Sequence, residues 1–191
     1  ANIVVLIIDA TEGITEQDSS LLGIVRDSGK SVIVAFNKCD KLEKTEKERI
    51  KSELLRKFNF IDYVEYHYIS AKNETGIKYL IRKIDVIIKS LNIDFSTPRI
   101  TGMLQEIVSK HPPKIVQGRR IKLRYMHLVK TNPIRFIIHG NQTKNIPDSY
   151  KRYLCKSFRK KLKLLATPVL IEFKQNENPY VKERKIKKRS R

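Results

Sequence analysis

Three short apolar runs, each followed by a stretch of helical period, dominate the first half of this 191-residue chain. They are "NIVVLIID" at 2–9, "SVIVAFN" at 31–37 and "VEYHYIS" at 64–70. The first two are continuous rather than alternating in apolar character, as expected of parallel strands covered on both faces. Between and after the runs lie "TEQDSSLLGIVRDSG", "KTEKERIKSELLRKF" and "TGIKYLIRKIDVIIKSL". In the first of these, Leu21, Leu22 and Val25 share a helical face, with Thr15 placed to cap the start and Gly29 the end. The second carries Ile50, Leu54, Leu55 and Phe58 on one stripe, and the third places Leu80, Ile84 and Ile87 inside. Three βα units in succession predict a parallel sheet with right-handed crossovers, hence an α/β domain over residues 1–95.

The pattern breaks at "NIDFSTPR" (92–99), where Pro98 marks a boundary. Beyond it the chain reads helix (98–110, ended by His111-Pro112-Pro113), strand ("RIKLRYMHLV"), strand ("IRFIIHG"), helix (149–165) and strand ("PVLIEFK"). The turn Lys130-Thr131-Asn132-Pro133 separates the first two strands. This αββαβ order predicts a small α+β domain over residues 96–178. Residues 179–191 follow as a basic tail with too few apolar residues to pack. Tyr150, Tyr153 and Phe158 could stack bases in principle, but at helical spacing among leucines they read as core. There is no internal repeat.

Charge separates the halves. Residues 1–95 hold 15 Lys/Arg and 15 Asp/Glu, whereas residues 96–191 hold 25 and 5, so the whole formal charge of +20 falls on the second half. A compositional bias would act on both halves, so the excess reads as an electrostatic footprint for a polyanion. Nucleic acid fits better than a membrane surface, because no long apolar stretch or amphipathic anchor accompanies the charge. The run Ile3–Ile8 is too short to span a bilayer. Cys39 and Cys155 are far apart, and the four histidines are scattered, so neither a disulfide framework nor a zinc site is expected. A reducing, cytoplasmic setting fits. The chain starts with Ala inside what reads as a buried strand, which suggests a fragment.

Two strand ends carry base-reading chemistry. Asn37-Lys38-Cys39-Asp40 falls where a parallel strand ends, the place where open α/β sheets bind ligands. A carboxylate at Asp40 can accept both the N1–H and the 2-amino group of guanine, a pair of donors that adenine lacks. Asn37 can meet the base's acceptor edge or brace neighbouring loops, and the aliphatic stem of Lys38 can cover the ring face. About thirty residues on, Ser70-Ala71-Lys72 ends the next strand, where the Ala71 N–H could donate to guanine O6. Either motif alone is weak; together, each after a strand, they are specific.

Two stretches imitate a phosphate grip and fail. "GIVRDSGKS" (23–31) has five residues between its glycines where a phosphate loop has four. It also runs from helix to strand, whereas a phosphate loop must leave a strand and open a helix. Asp9 to Gly13 is D-x-x-x-G, one residue longer than D-x-x-G, so Asp9 reads as a loop or capping residue. No catalytic or metal-ligating residue is expected in this chain.

"IIDATEGI", "TEQDSSLLG", "NKCDKL" and "YISAKNETGI", then "PPKIVQGRRIKLRYMH", "NPIRFIIHGNQTKNIPDSYKRYL" and "IEFKQNENPY", together resemble the C-terminal part of the Der (EngA) family. That family comprises bacterial GTPases with two tandem G domains followed by a KH-like domain, and the likeness covers essentially the whole chain. It implies that residues 1–95 are the back half of a P-loop-type G domain, with Asn37, Lys38, Asp40, Ser70, Ala71 and Lys72 as its base-specificity loops. It also implies GTP or GDP with Mg²⁺ in the parent protein, slow GTP hydrolysis, and action in maturing the large ribosomal subunit on rRNA. The phosphate loop, switch regions and Mg²⁺ site would lie upstream, so the fragment alone is expected to be inactive. The KH-like domain would contact the G domains, and Gly140-Asn141-Gln142 is either a turn or a surface that senses nucleotide state.

RNA-gripping KH domains carry a G-x-x-G loop between two helices, and the second half of this chain has none. RNA contact is therefore assigned to charge: Arg119, Arg120, Lys122 and Arg124, and in the tail Arg184, Lys185, Lys187, Lys188 and Arg189. Lys151, Arg152, Lys156, Arg159, Lys160 and Lys161 on the helix are secondary candidates. Two rival readings stand beside this one. One is an Era-like GTPase, against which the absent G-x-x-G and the "PDSYKRYL" segment argue. The other is a non-enzymatic ribosome- or RNA-binding protein that retains a broken G fold.

Overall fold

The computed structural model describes residues 1–58, 61–91, 95–115, 118 and 120–175. The chain divides into two compact units, the first comprising Ala1–Asp94, Val129–Arg135 and Cys155–Leu170, the second the remainder.

In the first unit, β1 (Ile3–Asp9), β2 (Ser31–Asn37) and β3 (Glu65–Tyr68) form a parallel sheet in that order. Helices α1 (Glu16–Ser28), α2 (Lys44–Lys57) and α3 (Ile77–Leu91) alternate with the strands. The central strand β2 is buried from Ser31 to Phe36. Alternation of its side chains splits the core in two. Val32, Val34 and Phe36 pack with Leu22, Ile50, Leu54 and Phe58 on one side. Ile33 and Ala35 pack with Ile69, Leu80 and Ile87 on the other.

The edge strand departs from the expectation of burial on both faces. β1 is half-buried along most of its length and Ile7 is 60% exposed, because β2 flanks it on one side only among the described strands. Leu55, expected on the buried stripe of α2, is likewise exposed.

The helix ends follow their residues. Thr15 accepts the Asp18 N–H while Asp18 accepts the Thr15 N–H, a reciprocal capping box. Gly29 closes α1 at φ 68°, where a Cβ would also fall 2.8 Å from Pro133. Near it the start of β2 is tied down: the Val32 N–H donates to the Ala166 carbonyl at 2.9 Å, and the buried Ser31 and Thr167 hydroxyls share a hydrogen bond of 2.9 Å.

Beyond the α/β part come α4 (Thr97–Lys110), β4 (Leu123–Thr131), β5 (Ile134–Gly140), α5 (Asp148–Lys161) and β6 (Val169–Gln175), the expected αββαβ order. The strands form one sheet in the order β4-β5-β6. α5 stops short of the expected 165: Lys163 (φ 54°) and Ala166 (φ 48°) take left-handed backbone, which no helix continues. Tyr150 and Phe158 are buried, as the core reading of this helix requires. Tyr150 donates its hydroxyl to the His111 carbonyl at 2.7 Å, and Tyr153 its own to the Ile107 carbonyl at 3.3 Å. β4 is an edge strand, and α4 covers its backbone: Thr101 Oγ1 bonds both the N–H and the carbonyl of Met126, and the Gln105 amide donates to the Leu123 and Arg124 carbonyls. Those contacts block the ladder that an uncovered edge would offer another chain.

Candidate guanine site

The carboxyl ends of β1, β2 and β3 meet, and backbone hydrogen bonds fasten them. The Ala10 N–H donates to the Asn37 carbonyl at 3.0 Å. The Ile69 N–H donates to Phe36 at 2.8 Å, and the Cys39 N–H to Ile69 at 3.1 Å. Lys38 sits between these bonds at φ 63°. A non-glycine residue adopts that conformation only where its surroundings hold it, and such residues gather at functional sites. The chain then makes one short 3-10 turn, Cys39–Lys41, which sets Asp40 at the rim.

Asn37 takes the bracing role of the two that its chemistry allows: its Oδ1 accepts the Ala71 N–H at 3.0 Å. That bond joins the two loops singled out in the sequence, although Asn37 and Ala71 are 34 residues apart. It also engages the N–H expected to meet guanine O6. The second loop is closed by a bridge between Ser70 and Thr75. Gly76 makes the closure possible, since at φ 78° a Cβ there would stand 2.6 Å from the Tyr68 carbonyl. Ser70 is buried; its oxygen accepts the Asn73 N–H at 3.2 Å, and its hydroxyl donates to Asp40.

The electrostatics favour an ionised rim. The hydrogen bond from Ser70, helped by the nearby charges of Lys72 and Lys41, holds Asp40 below the usual carboxylate range. Asp40, Ala71 and Lys72 are exposed, so an acceptor and a cation face solvent side by side. The Lys38 ammonium pairs with Asp9. That contact, then the hydroxyl and N–H of Thr11, lowers Asp9 to about 2. Asp9, read from its spacing as a loop or capping residue, is the last residue of β1 and has a task that sequence reading missed: it anchors the lysine. A strand-end carboxylate was the visible signal, but its partner depends on the register, which sets Asp9 opposite Asn37.

Among the described residues no group of three or more His, Cys, Asp or Glu could hold a metal ion, and Asp9 is committed to Lys38 and Thr11.

Of the cations assigned to RNA, Arg120, Lys122 and Arg124 are exposed. Arg119 and the tail residues Arg184, Lys185, Lys187, Lys188 and Arg189 lie outside the described residues. Arg159 is drawn away from that role: its guanidinium pairs with Asp62 and lies over the Tyr63 ring, 5.5 Å from the centroid. Gly140-Asn141-Gln142 has a backbone task. A Cβ on Gly140 would fall 2.3 Å from the Lys122 carbonyl. Asn141 N–H donates to that same carbonyl at 3.1 Å, and its side chain accepts the Lys122 N–H.

Comparison with known proteins matches residues 1–90 to the elongation factor Tu GTP-binding domain and residues 95–174 to the C-terminal KH-domain-like part of EngA bacterial GTPase enzymes. GTPase Der of Legionella pneumophila (strain Corby) is 46% identical over 99% of this chain, and GTPase Der of Pseudomonas putida (strain W619) is 44% identical over 94%. The chain belongs to the Der (EngA) family. It spans 41% and 37% of those two proteins' lengths. The Der family is a family of GTP-binding proteins, and the two matched segments correspond to its α/β and KH-like parts. Among solved structures, Era in complex with MgGDPNP and a segment of 16S ribosomal RNA is a distant neighbour, 20% identical with a TM-score of 0.41 over 92% of this chain and 65% of that one. No helix among the described residues is long and apolar enough to cross a membrane.

Proposed function

We propose that this chain is the guanine-reading and RNA-docking part of a GTP-hydrolysing protein that acts in assembly of the large ribosomal subunit, in the cytoplasm and in association with the ribosome. The observation that carries the guanine half is the Asn37–Ala71 bond, which holds the N-K-x-D loop against the S-A-K loop with Asp40 ionised and exposed between them. In this reading Asp40 accepts the two donors on the guanine edge. Ala71 N–H exchanges its Asn37 partner for O6, and the Lys38 stem, anchored through Asp9, lies along the ring. Cys39 occupies the free position of the motif, and Lys72 adds a cation at the rim.

Phosphoryl transfer is mostly positioning and charge stabilisation by a phosphate loop and Mg²⁺. The 191 residues contain no G-x-x-x-x-G-K-[ST], so the chain by itself is expected to turn over no GTP. Its nucleotide affinity is expected to be feeble, because contacts to the base alone would carry it. The net charge of +20 in the second half supports the RNA half of the reading, with Arg120, Lys122 and Arg124 among the contacts. The Ser31–Thr167 and Val32–Ala166 bonds support a direct coupling between the KH-like segment and the strand that carries the guanine loop.

Amide NMR shifts of the chain titrated with GDP and with ADP test the guanine half. GDP should move the signals of Asn37–Asp40 and Ser70–Lys72 and ADP should not. Asp40→Ala should abolish the response, a loss of about a hundredfold for two charge-assisted bonds. Equal responses to the two nucleotides would sink it. The RNA half predicts rRNA affinity that falls steeply between low and moderate salt.

A further inference from the structure

Three flat rings from two strands come together on the β4–β5 sheet. Tyr125 and His127 are two positions apart on β4 and so share a face, and His139 comes from the neighbouring strand β5. The Tyr125 and His139 rings stack with centroids 4.3 Å apart and planes 6° from parallel. His127 lies 5.1 Å from His139 and 6.4 Å from Tyr125, its plane within 29° and 26° of theirs. On β5 the even positions Ile134, Phe136 and Ile138 are fully buried. Alternation puts His139 on the opposite face, so the rings sit on the side of the sheet away from that core.

Cross-strand ring pairs stabilise sheets, and that alone would justify their contact. It does not explain Tyr125, which remains 41% exposed at the end of a nearly parallel set. A stack that ends in a partly exposed ring can continue with another flat ring. The segment is basic in sequence, and its Lys122 and Arg124 are both exposed. They belong to a half that holds 25 basic and 5 acidic residues. Flat faces joined to an anionic backbone describe unpaired nucleotides, whose bases stack on aromatic side chains while their phosphates meet cations. A duplex keeps its base faces covered, and an acidic protein surface offers charge without flat rings.

We propose that Tyr125, His127 and His139 form a stacking platform for unpaired RNA bases, within the strongly basic half of the chain. The proposal rests on the RNA-docking reading above and assigns its contact to the sheet face that carries the rings. The test uses the full 191-residue chain and fluorescence anisotropy with a short single-stranded oligoribonucleotide and with the same sequence annealed to its complement. Tyr125→Leu keeps bulk without a ring and should weaken single-strand binding on the order of tenfold while leaving duplex binding unchanged. Tyr125→Phe keeps the ring and should bind as the parent does, which separates stacking from misfolding. Replacing Lys122 and Arg124 by Ala should weaken both RNAs. If Tyr125→Leu binds the single strand as tightly as the parent, the platform is overturned, the salt-dependent RNA reading survives, and the rings are left to a protein partner. If the parent binds neither RNA, the reading beneath the proposal fails with it.

Discussion

The chain holds two trios of aromatic rings built across neighbouring strands, and they differ in burial and in polar partners. Under the guanine loops, Phe36 faces its register partner Tyr68 with ring centroids 5.5 Å apart, and Tyr66 meets both rings edge-on. Phe36 is fully buried, and Tyr68 donates its hydroxyl to the Lys47 carbonyl at 2.6 Å, so this trio is held by core packing and by a polar partner. On β4 and β5, Tyr125, His127 and His139 make contacts of similar spacing but leave Tyr125 41% exposed. The lesson is that ring clustering alone says nothing of function. Burial and polar satisfaction decide whether a trio supports a neighbouring site or is available as one.

The largest effect expected from that contrast is at Phe36. Phe36→Ala should destabilise the first unit by about 3–5 kcal/mol, the usual range for emptying a fully buried aromatic site, and denaturant unfolding measures it. The loss should reach the guanine loops, because Phe36 accepts the Ile69 N–H one residue before Asn37. The Ala71 amide should then exchange with solvent faster than in the parent. A loss below about 1 kcal/mol would show that this trio is not the support described.

The meeting of the two strand-end loops was readable in the sequence because each motif is local. Asn37-Lys38-x-Asp40 and Ser70-Ala71-Lys72 each sit within a few residues, and a parallel strand before each one fixes where they end up. The capping residues Thr15 and Gly29 were readable for the same reason. The Asp9–Lys38 pair and the His127–His139 contact were not, since each joins residues on different strands and depends on register. Motif spacing does not state register. The exposure of Ile7 was missed for a related reason: an apolar run is the same text in a central strand and at an edge. The end of α5 was missed because Lys163 and Ala166 are good helix formers placed in left-handed backbone by their surroundings.

A middle-sized effect tests how the ring-bearing strand is held. Thr101 Oγ1 accepts the Met126 N–H and donates to the Met126 carbonyl, both at 3.1 Å, between Tyr125 and His127. Thr101→Val keeps the shape and removes both bonds, leaving two backbone groups of a fully buried residue without that partner. The cost should be about 1–3 kcal/mol by denaturant unfolding, with faster exchange at the Met126 amide. An unchanged amide would mean that the sheet, not α4, holds this strand, and the platform would lose its sideways support.

The smallest effect lies at the guanine rim, where the decisive groups face solvent. Asp9 titrates at about 2 in the folded chain, against an ordinary value of 3.8, chiefly through its hydrogen bond with Lys38 and then through those with Thr11. A carboxylate lowered by folding contributes stability that is complete above its unfolded value and is lost as pH falls through the folded one. The window is therefore from about pH 4 down to about 2. Lys38→Met removes the largest contribution and leaves Thr11 in place, so the Asp9 midpoint should rise toward, without reaching, the ordinary carboxylate value. Carbon-detected NMR titration of the Asp9 carboxyl reads that midpoint directly, and thermal melts across the same window should show a weaker acid dependence in the variant. An Asp9 midpoint that stays near 2 in Lys38→Met would assign its lowering to the Thr11 turn. The lysine stem would then have no anchor from β1, and the position proposed for it along the base would rest on its left-handed backbone alone.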